Sequence, residues 1–106
     1  TTMETLEFRF DSKPAFRAAD PALCGVVGSG NLEILVKTGI EPEACRVRIK
    51  TSARGFGETW RAVLGSFTAS HPAGGTAIVI NDMGATPAVV TLRLAQALAE
   101  YQGGAR

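Results

Sequence analysis

The chain has 106 residues, with 11 basic and 10 acidic side chains, one His, two Cys and 45% hydrophobic positions. At roughly 100–200 residues per domain, we expect a single domain over residues 1–106 with one modest core. The net charge of +1 argues against a nucleic-acid partner, because broad electrostatic capture of nucleic acid needs a basic domain. With a single imidazole, a metal site or proton relay would depend on carboxylates or on His71 alone.

The two cysteines, Cys24 and Cys45, are too sparse for a disulfide scaffold and lie outside any C-x-x-C motif. We expect two half-buried free thiols. No apolar run approaches the roughly 18–20 residues of a membrane span. The first residues also lack the basic and apolar regions of a secretory signal. The expectation is therefore a cytoplasmic chain with no membrane partner.

Three strands are predicted in the first third of the chain. Residues 5–10 alternate between apolar and polar positions, as in a half-buried strand. Residues 11–20 then predict a connection with a helical turn. Two further apolar segments, 23–27 and 32–37, flank the sequence Gly-Ser-Gly-Asn at 28–31, which predicts a β-hairpin.

A fourth strand is predicted over residues 46–52. Its outward positions carry a row of cations, Arg46, Arg48 and Lys50. We expect this basic row to be a solvated sheet face, in which opposite charges on neighbouring strands contribute little as exposed pairs. The alternative is a contact surface for phosphates or for an acidic partner.

A helix and a central strand follow. Trp60, Val63, Leu64 and Phe67 have the i, i+3, i+4, i+7 spacing of an amphipathic helix, predicted over 56–69. The continuous apolar run that opens the segment 77–82 predicts a strand that is covered on both faces or lies in the middle of a sheet.

The last helix has clear boundary signals. Thr86 can serve as its N-cap, Pro87 suits the first helical position, and Gly103 follows its end. Its expected buried stripe consists of Val90, Leu94, Leu98 and Tyr101. The element order predicts an α+β fold: a two-layer sandwich with a mixed, mostly antiparallel sheet of about five strands and two helices packed mainly on one face.

Ser29 is the first candidate functional residue. Gly28 and Gly30 leave its hydroxyl unshielded, so a bulky group can approach, and they accept the positive φ that a hairpin tip demands. A plain Gly/Ser turn explains the same residues. A serine hydrolase is disfavoured, because the segment lacks the G-x-S-x-G spacing and because His71, before Pro72, suits carbonyl capping or solvent better than the role of a base. No G-K-[ST] follows the glycines, so this is not a phosphate-binding P-loop either.

The second candidate site is the segment 81–87, where a strand end leads into a helix N-terminus. Free N–H groups there can hold a phosphate or carboxylate. Capping by Thr86 and turn formation explain the same residues, and Asp82 would oppose an anion. We therefore favour a capping role for this segment.

Two segments together resemble a known family. Residues 25–35 (GVVGSGNLEIL) and 81–94 (NDMGATPAVVTLRL) are similar to the acyl carrier (delta) subunits of malonate decarboxylases, and the likeness extends over nearly the whole chain. This sequence departs from the common family pattern at Asn31, Met83 and Ala88, where acidic, Phe and Gly residues are frequent. None of these changes affects Ser29.

The resemblance implies a carrier rather than an enzyme. Ser29 would carry a covalent 2'-(5''-phosphoribosyl)-3'-dephospho-CoA arm, whose thiol holds acetyl or malonyl as a thioester. The implied partners are an acyltransferase subunit, a two-subunit malonyl decarboxylase and the prosthetic-group transferase. Gly28 and Gly30 would support the turn, and Arg46, Arg48, Lys50 and Thr86 are candidate contacts for the arm or for a partner.

Other functions stay open at the level of sequence. The gamma subunit of citrate lyase is a carrier with a similar arm, separated from this chain only by the wording of its motifs. Fatty-acid and polyketide carriers are an alternative of the same class, but the sequence disfavours them, because they are helical and use an Asp-Ser-Leu motif that is missing here. From a different class, a non-catalytic binding module could use the Gly-Ser hairpin as an interaction loop.

Overall fold

A computed structural model describes residues 3–15 and 25–103. Seven elements follow one another along the chain. They are β1 (Glu4–Asp11), β2 (Gly25–Ser29), β3 (Leu32–Thr38), β4 (Ala44–Thr51), α1 (Gly57–Ser70), β5 (Thr76–Asp82) and α2 (Pro87–Tyr101). This order matches the predicted one. The predicted connection 11–20 and the beginning of the predicted strand 23–27 lie partly outside the described residues.

The five strands form one mixed sheet in the order β1-β4-β5-β3-β2. β4 and β5 are parallel and are joined through α1, whereas the other three neighbouring pairs are antiparallel. The apolar run of β5 is therefore central in the sheet, as predicted. β1 and β2 are the two edge strands.

Both helices pack on one face of the sheet, which confirms the predicted two-layer α+β architecture. α2 lies against β2 and β3, while α1 lies against β1 and α2. The core between the layers contains the inward side chains of the three inner strands and the apolar stripes of both helices. Its fully buried members include Ile34, Val36, Ile49, Leu64, Ile78, Ile80 and Leu94.

The helical stripes follow the predicted spacing with one difference. All four predicted residues of α2 are buried, as are Trp60, Leu64 and Phe67 of α1. Val63 is only half-buried, because it borders a cleft between the two helices. Position along the helix predicts which face a side chain lies on, but the fit between neighbouring helices decides how deeply it is covered.

Candidate functional site

Ser29 is the last residue of β2 and is exposed at the tip of the β2–β3 hairpin. The loop consists of only two residues, Gly30 and Asn31, because Ser29 still pairs with Leu32. Its Oγ lies 3.3 Å from Asn31 Oδ1 and 3.3 Å from the carbonyl oxygen of Leu32. The hairpin prediction is thus confirmed, with Ser29 held in the paired strand rather than within the loop.

The glycines beside Ser29 contribute space rather than an unusual backbone. The predicted positive φ is wrong for Gly28 and Gly30, because neither lies in the left-handed region. No atom lies within 4 Å of the place where a Cβ on Gly30 would stand, and for Gly28 the nearest atom is Glu33 Cγ at 3.8 Å. The space beside Gly30 is therefore open, and beside Gly28 only the Glu33 side chain comes into van der Waals range.

The Ser29 hydroxyl has no general base among the described residues. Its two hydrogen-bond partners are an amide oxygen and a backbone carbonyl, and neither can take up a proton at neutral pH. His71 follows the end of α1, where its Nδ1 lies 3.2 Å from the carbonyl oxygen of Phe67 and its ring stacks on the Phe67 ring. Among the described residues, therefore, nothing within hydrogen-bond reach activates the Ser29 hydroxyl as a nucleophile.

The sheet register places Ser29 beside the ends of the two parallel strands. Ser29 pairs with Leu32, Leu32 pairs with Asp82, and Asp82 pairs with Thr51 at the end of β4. Ser29 and Asp82 are thus separated by two strand spacings, about 10 Å. A further bond, from the Met83 N–H to the carbonyl oxygen of Asn31 (2.9 Å), ties the hairpin to the chain that follows β5.

The N-terminus of α2 is already occupied by its own caps. Asp82 is 3% exposed, and its carboxylate accepts hydrogen bonds from Thr51 Oγ1 (2.8 Å) and from the N–H groups of Gly84 (3.2 Å) and Ala85 (2.8 Å). The Thr86 hydroxyl oxygen accepts from the Val89 N–H at 3.3 Å, which confirms Thr86 as the N-cap. Two of the N–H groups that could hold an anion therefore bind a carboxylate of the protein itself.

The basic row lies on the sheet face opposite the helices. Arg46 Nε lies 2.7 Å from Glu41, whose other oxygen lies 2.8 Å from Arg9 Nε, and Arg48 lies 3.2 Å from Glu7. Hydrogen bonds from Arg9 and then Arg46 lower the pKa of the Glu41 carboxyl.

Two of the three predicted cations are thus in exposed ion pairs, which fits the expectation of a solvated face. Within the described part of the chain, Lys50 has no ion-pair partner. That leaves Lys50 as the cation of this row with most freedom to contact a phosphate. A contact between the arm or a partner and any of Arg46, Arg48, Lys50 or Thr86 stays a prediction.

An apolar cleft of about 260 Å³ opens between the beginnings of the two helices. It lies at the end of the sheet where Asp82 and Ser29 are found, and Asp82 forms part of its wall. The apolar part of the lining comes from Ala53, Phe56, Trp60, Val63, Ala85, Pro87 and Val90. Sequence reasoning missed this cleft. The available signal was Phe56 between Gly55 and Gly57, a large apolar residue at a helix start that is 52% exposed.

The Cys45 thiol is free and fully buried, so the expectation of a half-buried thiol is wrong for this residue. Burial raises the pKa of the thiol. Cys24 lies outside the described residues. Residues 3–15 and 25–103 contain no cluster of His, Cys, Asp and Glu suited to a metal ion. Over the same ranges, neither helix combines the length and apolar character that crossing a bilayer requires.

Comparison with known proteins identifies the family. Residues 19–101 match the family model described as "Malonate decarboxylase delta subunit (MdcD)". The malonate decarboxylase acyl carrier protein of Burkholderia cepacia is 56% identical over 94% of this chain and 92% of its own length. That of Acinetobacter calcoaceticus is 48% identical over 95% and 99%.

A solved structure shares the fold. One chain in the crystal structure of a Pseudomonas malonate decarboxylase hetero-tetramer in complex with malonate superimposes with a TM-score of 0.75 at 37% identity. The match covers 93% of this chain and 99% of that one. The chain belongs to the malonate decarboxylase acyl carrier protein (delta subunit) family.

Proposed function

We propose that this chain is the carrier subunit of a malonate decarboxylase and that Ser29 bears its phosphoribosyl-dephospho-CoA arm through a phosphodiester. The observation that carries the proposal is the setting of Ser29: an exposed residue at the end of a short edge strand, with open space beside Gly30 and only the Glu33 side chain near Gly28. When attached, the arm supplies the thiol that holds acetyl or malonyl as a thioester.

The residues around Ser29 suit a large attached group. The side chain is held by two long bonds of 3.3 Å, one to the exposed Asn31 amide oxygen and one to the part-buried carbonyl oxygen of Leu32. Losing bonds of this length on modification should cost little. The strand behind it is fixed, since β2 pairs with β3 along its full length. The hairpin thus offers a rigid base and an unobstructed oxygen.

The proposed division of labour leaves no acid–base chemistry to this chain. Ser29 has no base within reach among the described residues, so the proton on its Oγ would be removed in the active site of the prosthetic-group transferase. Acyl transfer and decarboxylation would take place on the acyltransferase subunit and on the two-subunit malonyl decarboxylase. The structural relative, a chain of a hetero-tetramer, supports a role in a multi-subunit assembly.

The test is the intact mass of the protein produced with and without its transferase. We expect an adduct with the mass of the phosphoribosyl-dephospho-CoA group in the wild type and none in Ser29→Ala. Ser66→Ala is the matched control, because Ser66 is also exposed but lies on α1, and this variant should carry the adduct in full. An unmodified wild type, or an adduct that persists in Ser29→Ala, would refute the assignment.

A further inference from the structure

We infer that the apolar cleft between α1 and α2 shelters the acetyl thioester end of the arm carried by Ser29. The inference rests on the proposed function and adds a second site on this chain. The walls of the cleft are formed by the beginnings of both helices and by the loops that follow β4 and β5.

The first argument is position. Ser29 and the cleft lie at the same end of the sheet, and Asp82 in the cleft wall is two strand spacings, about 10 Å, from Ser29. Ser29 also lies on the helix side of the sheet. Every second residue of a strand lies on the same face, so Ser29 shares its face with Val27 and Gly25, and Gly25 faces α2. An arm made of a phosphoribosyl group, a nucleotide and a pantetheine chain is far longer than this separation, so its end can fold back.

The second argument is size and polarity. The volume of about 260 Å³ exceeds the roughly 150 Å³ of a cavity that holds a benzene-sized molecule. The lining is apolar apart from Thr59 and the buried Asp82, and the Asp82 oxygens already accept three hydrogen bonds. An adenine ring would leave several nitrogens unpaired there, which is costly. A small acetyl thioester has a single carbonyl oxygen to satisfy, and that oxygen can stay at the open side of the cleft.

The third argument is charge, and it separates acetyl from malonyl. None of the residues that line the cleft is a cation, and one of them is an aspartate. A malonyl carboxylate placed there would lose its hydration without gaining a partner, and it would face the Asp82 carboxylate. The cleft should therefore retain acetyl and reject malonyl, leaving the malonyl thioester free to reach the decarboxylase.

The experiment measures how fast hydroxylamine removes the acyl group from the arm of the isolated carrier, by intact mass at neutral pH. Acetyl-dephospho-CoA in solution is the reference. If the cleft is occupied nine-tenths of the time, the acetyl group should react about tenfold more slowly on the carrier than on the reference. Malonyl should react at the rate of its own free thioester.

Two variants test whether the cleft is responsible. Ala85→Leu and Val63→Phe each fill the cleft from a different wall, and either one should return the acetyl rate to that of the reference. Ala62→Leu is the control, because Ala62 is exposed on α1 and does not line the cleft. It should leave the protection unchanged. The emission of Trp60, the single tryptophan, which lies in the cleft wall, should shift on acetylation of the thiol but not on malonylation.

The outcomes distinguish this inference from the proposed function. An adduct on Ser29 whose acetyl group reacts as fast as the reference overturns the inference and leaves the carrier function intact. Protection that survives in both filled variants, or that is equal for malonyl, also overturns it. A Trp60 shift caused only by added partner subunits would assign the cleft to a partner side chain instead. The lack of any adduct refutes both proposals.

Discussion

At Gly25 the backbone of β2 touches the backbone of α2. A Cβ built on Gly25 would lie 1.9 Å from the carbonyl oxygen of Ala97 and 2.7 Å from the backbone nitrogen of Tyr101. Only hydrogen fits between the strand and the helix at this point. This close approach lets α2 bury Leu94 and Leu98 against the sheet.

A matched pair of glycine substitutions tests this contact. Gly25→Ala should force α2 away from β2 and lower the free energy of unfolding by about 2 kcal/mol or more, as overpacking against backbone does. Gly30→Ala should change it by less than about 0.5 kcal/mol, because the added Cβ meets nothing within 4 Å and φ is not positive there. Chemical denaturation of both variants provides the comparison, and equal losses would contradict this account of Gly25.

Sequence reasoning reached Ser29 but not the reasons for its glycines. A Gly-Ser-Gly segment between two apolar runs predicts a hairpin with an exposed serine, and this is what the structure shows. A glycine that a close backbone approach requires, Gly25, and a glycine that stands in open space, Gly30, look identical in a sequence. They depend on what lies opposite each residue, and for Gly25 that is a helix about 70 residues further along the chain.

At the scale of elements, α2 has the most completely specified boundaries. Thr86 supplies the N-cap bond, Pro87 occupies the first position, and Gly103 follows the helix with a φ of 110°. Each of these signals is local in the chain, and each was predicted from the sequence. Helix boundaries can be predicted from local signals of this kind because the signals do not depend on the rest of the fold.

Removal of the cap gives a second prediction. Thr86→Ala should lower the free energy of unfolding by about 1 kcal/mol, because the Val89 N–H loses its acceptor. Thr91→Ala is the control, since Thr91 is exposed within the same helix and alanine is the better helix former there. Its stability should be equal or slightly higher. A Thr86→Ala protein as stable as the wild type in thermal melts would contradict the capping role.

The cleft shows where element-level prediction stops. The stripe from Trp60 to Phe67 was assigned to the core by its spacing, and that holds for three of its four residues. Val63 is half-buried because it borders the cleft between the two helices, and Phe56 lines the same cleft. The distance between the two helix starts depends on the lengths of the loops after β4 and β5 and on the sheet between them. The spacing of apolar residues along the sequence therefore cannot predict it.

At the scale of the whole molecule, the parallel pair β4–β5 organises the fold. These two strands carry much of the core, and β4 contains the buried Cys45 near its beginning, at the opposite end of the sheet from Ser29. The element order could be predicted. The order β1-β4-β5-β3-β2 could not, because pairing partners such as Leu6 and Ile49 are more than 40 residues apart and only tertiary packing selects among the arrangements.

Because the Cys45 thiol is buried, we expect the free energy of unfolding to change with pH in the alkaline range. Burial raises the pKa of Cys45 in the folded state, so the folded chain keeps its proton where the unfolded chain has lost it. The contribution is fully present below the unfolded pKa of about 8.5 and is lost as the pH rises through the higher folded pKa. The free energy of unfolding should therefore fall as the pH rises above about 8.5.

Cys45→Ala isolates this effect from other alkaline titrations. The variant should be less stable at neutral pH by about 1 kcal/mol, because a small cavity replaces the sulfur, but its stability should fall less steeply above about pH 8.5. Urea denaturation at a series of pH values measures how steeply the free energy of unfolding of each protein falls with pH. Parallel slopes for wild type and variant would mean that Cys45 does not contribute to the pH dependence.

The way in which the short strand β2 is held affects how far a group attached to Ser29 could travel. It is five residues long, and it is fixed at Gly25 by α2, along its length by β3, and at its tip by the bond between Met83 and Asn31. Its last residue is therefore a stationary pivot, so the domain itself adds almost nothing to the distance that an attached group can travel. If Ser29 carries the proposed arm, every active site that it serves must lie within one arm length of Ser29, and the local concentration of the thioester at each site depends on that distance.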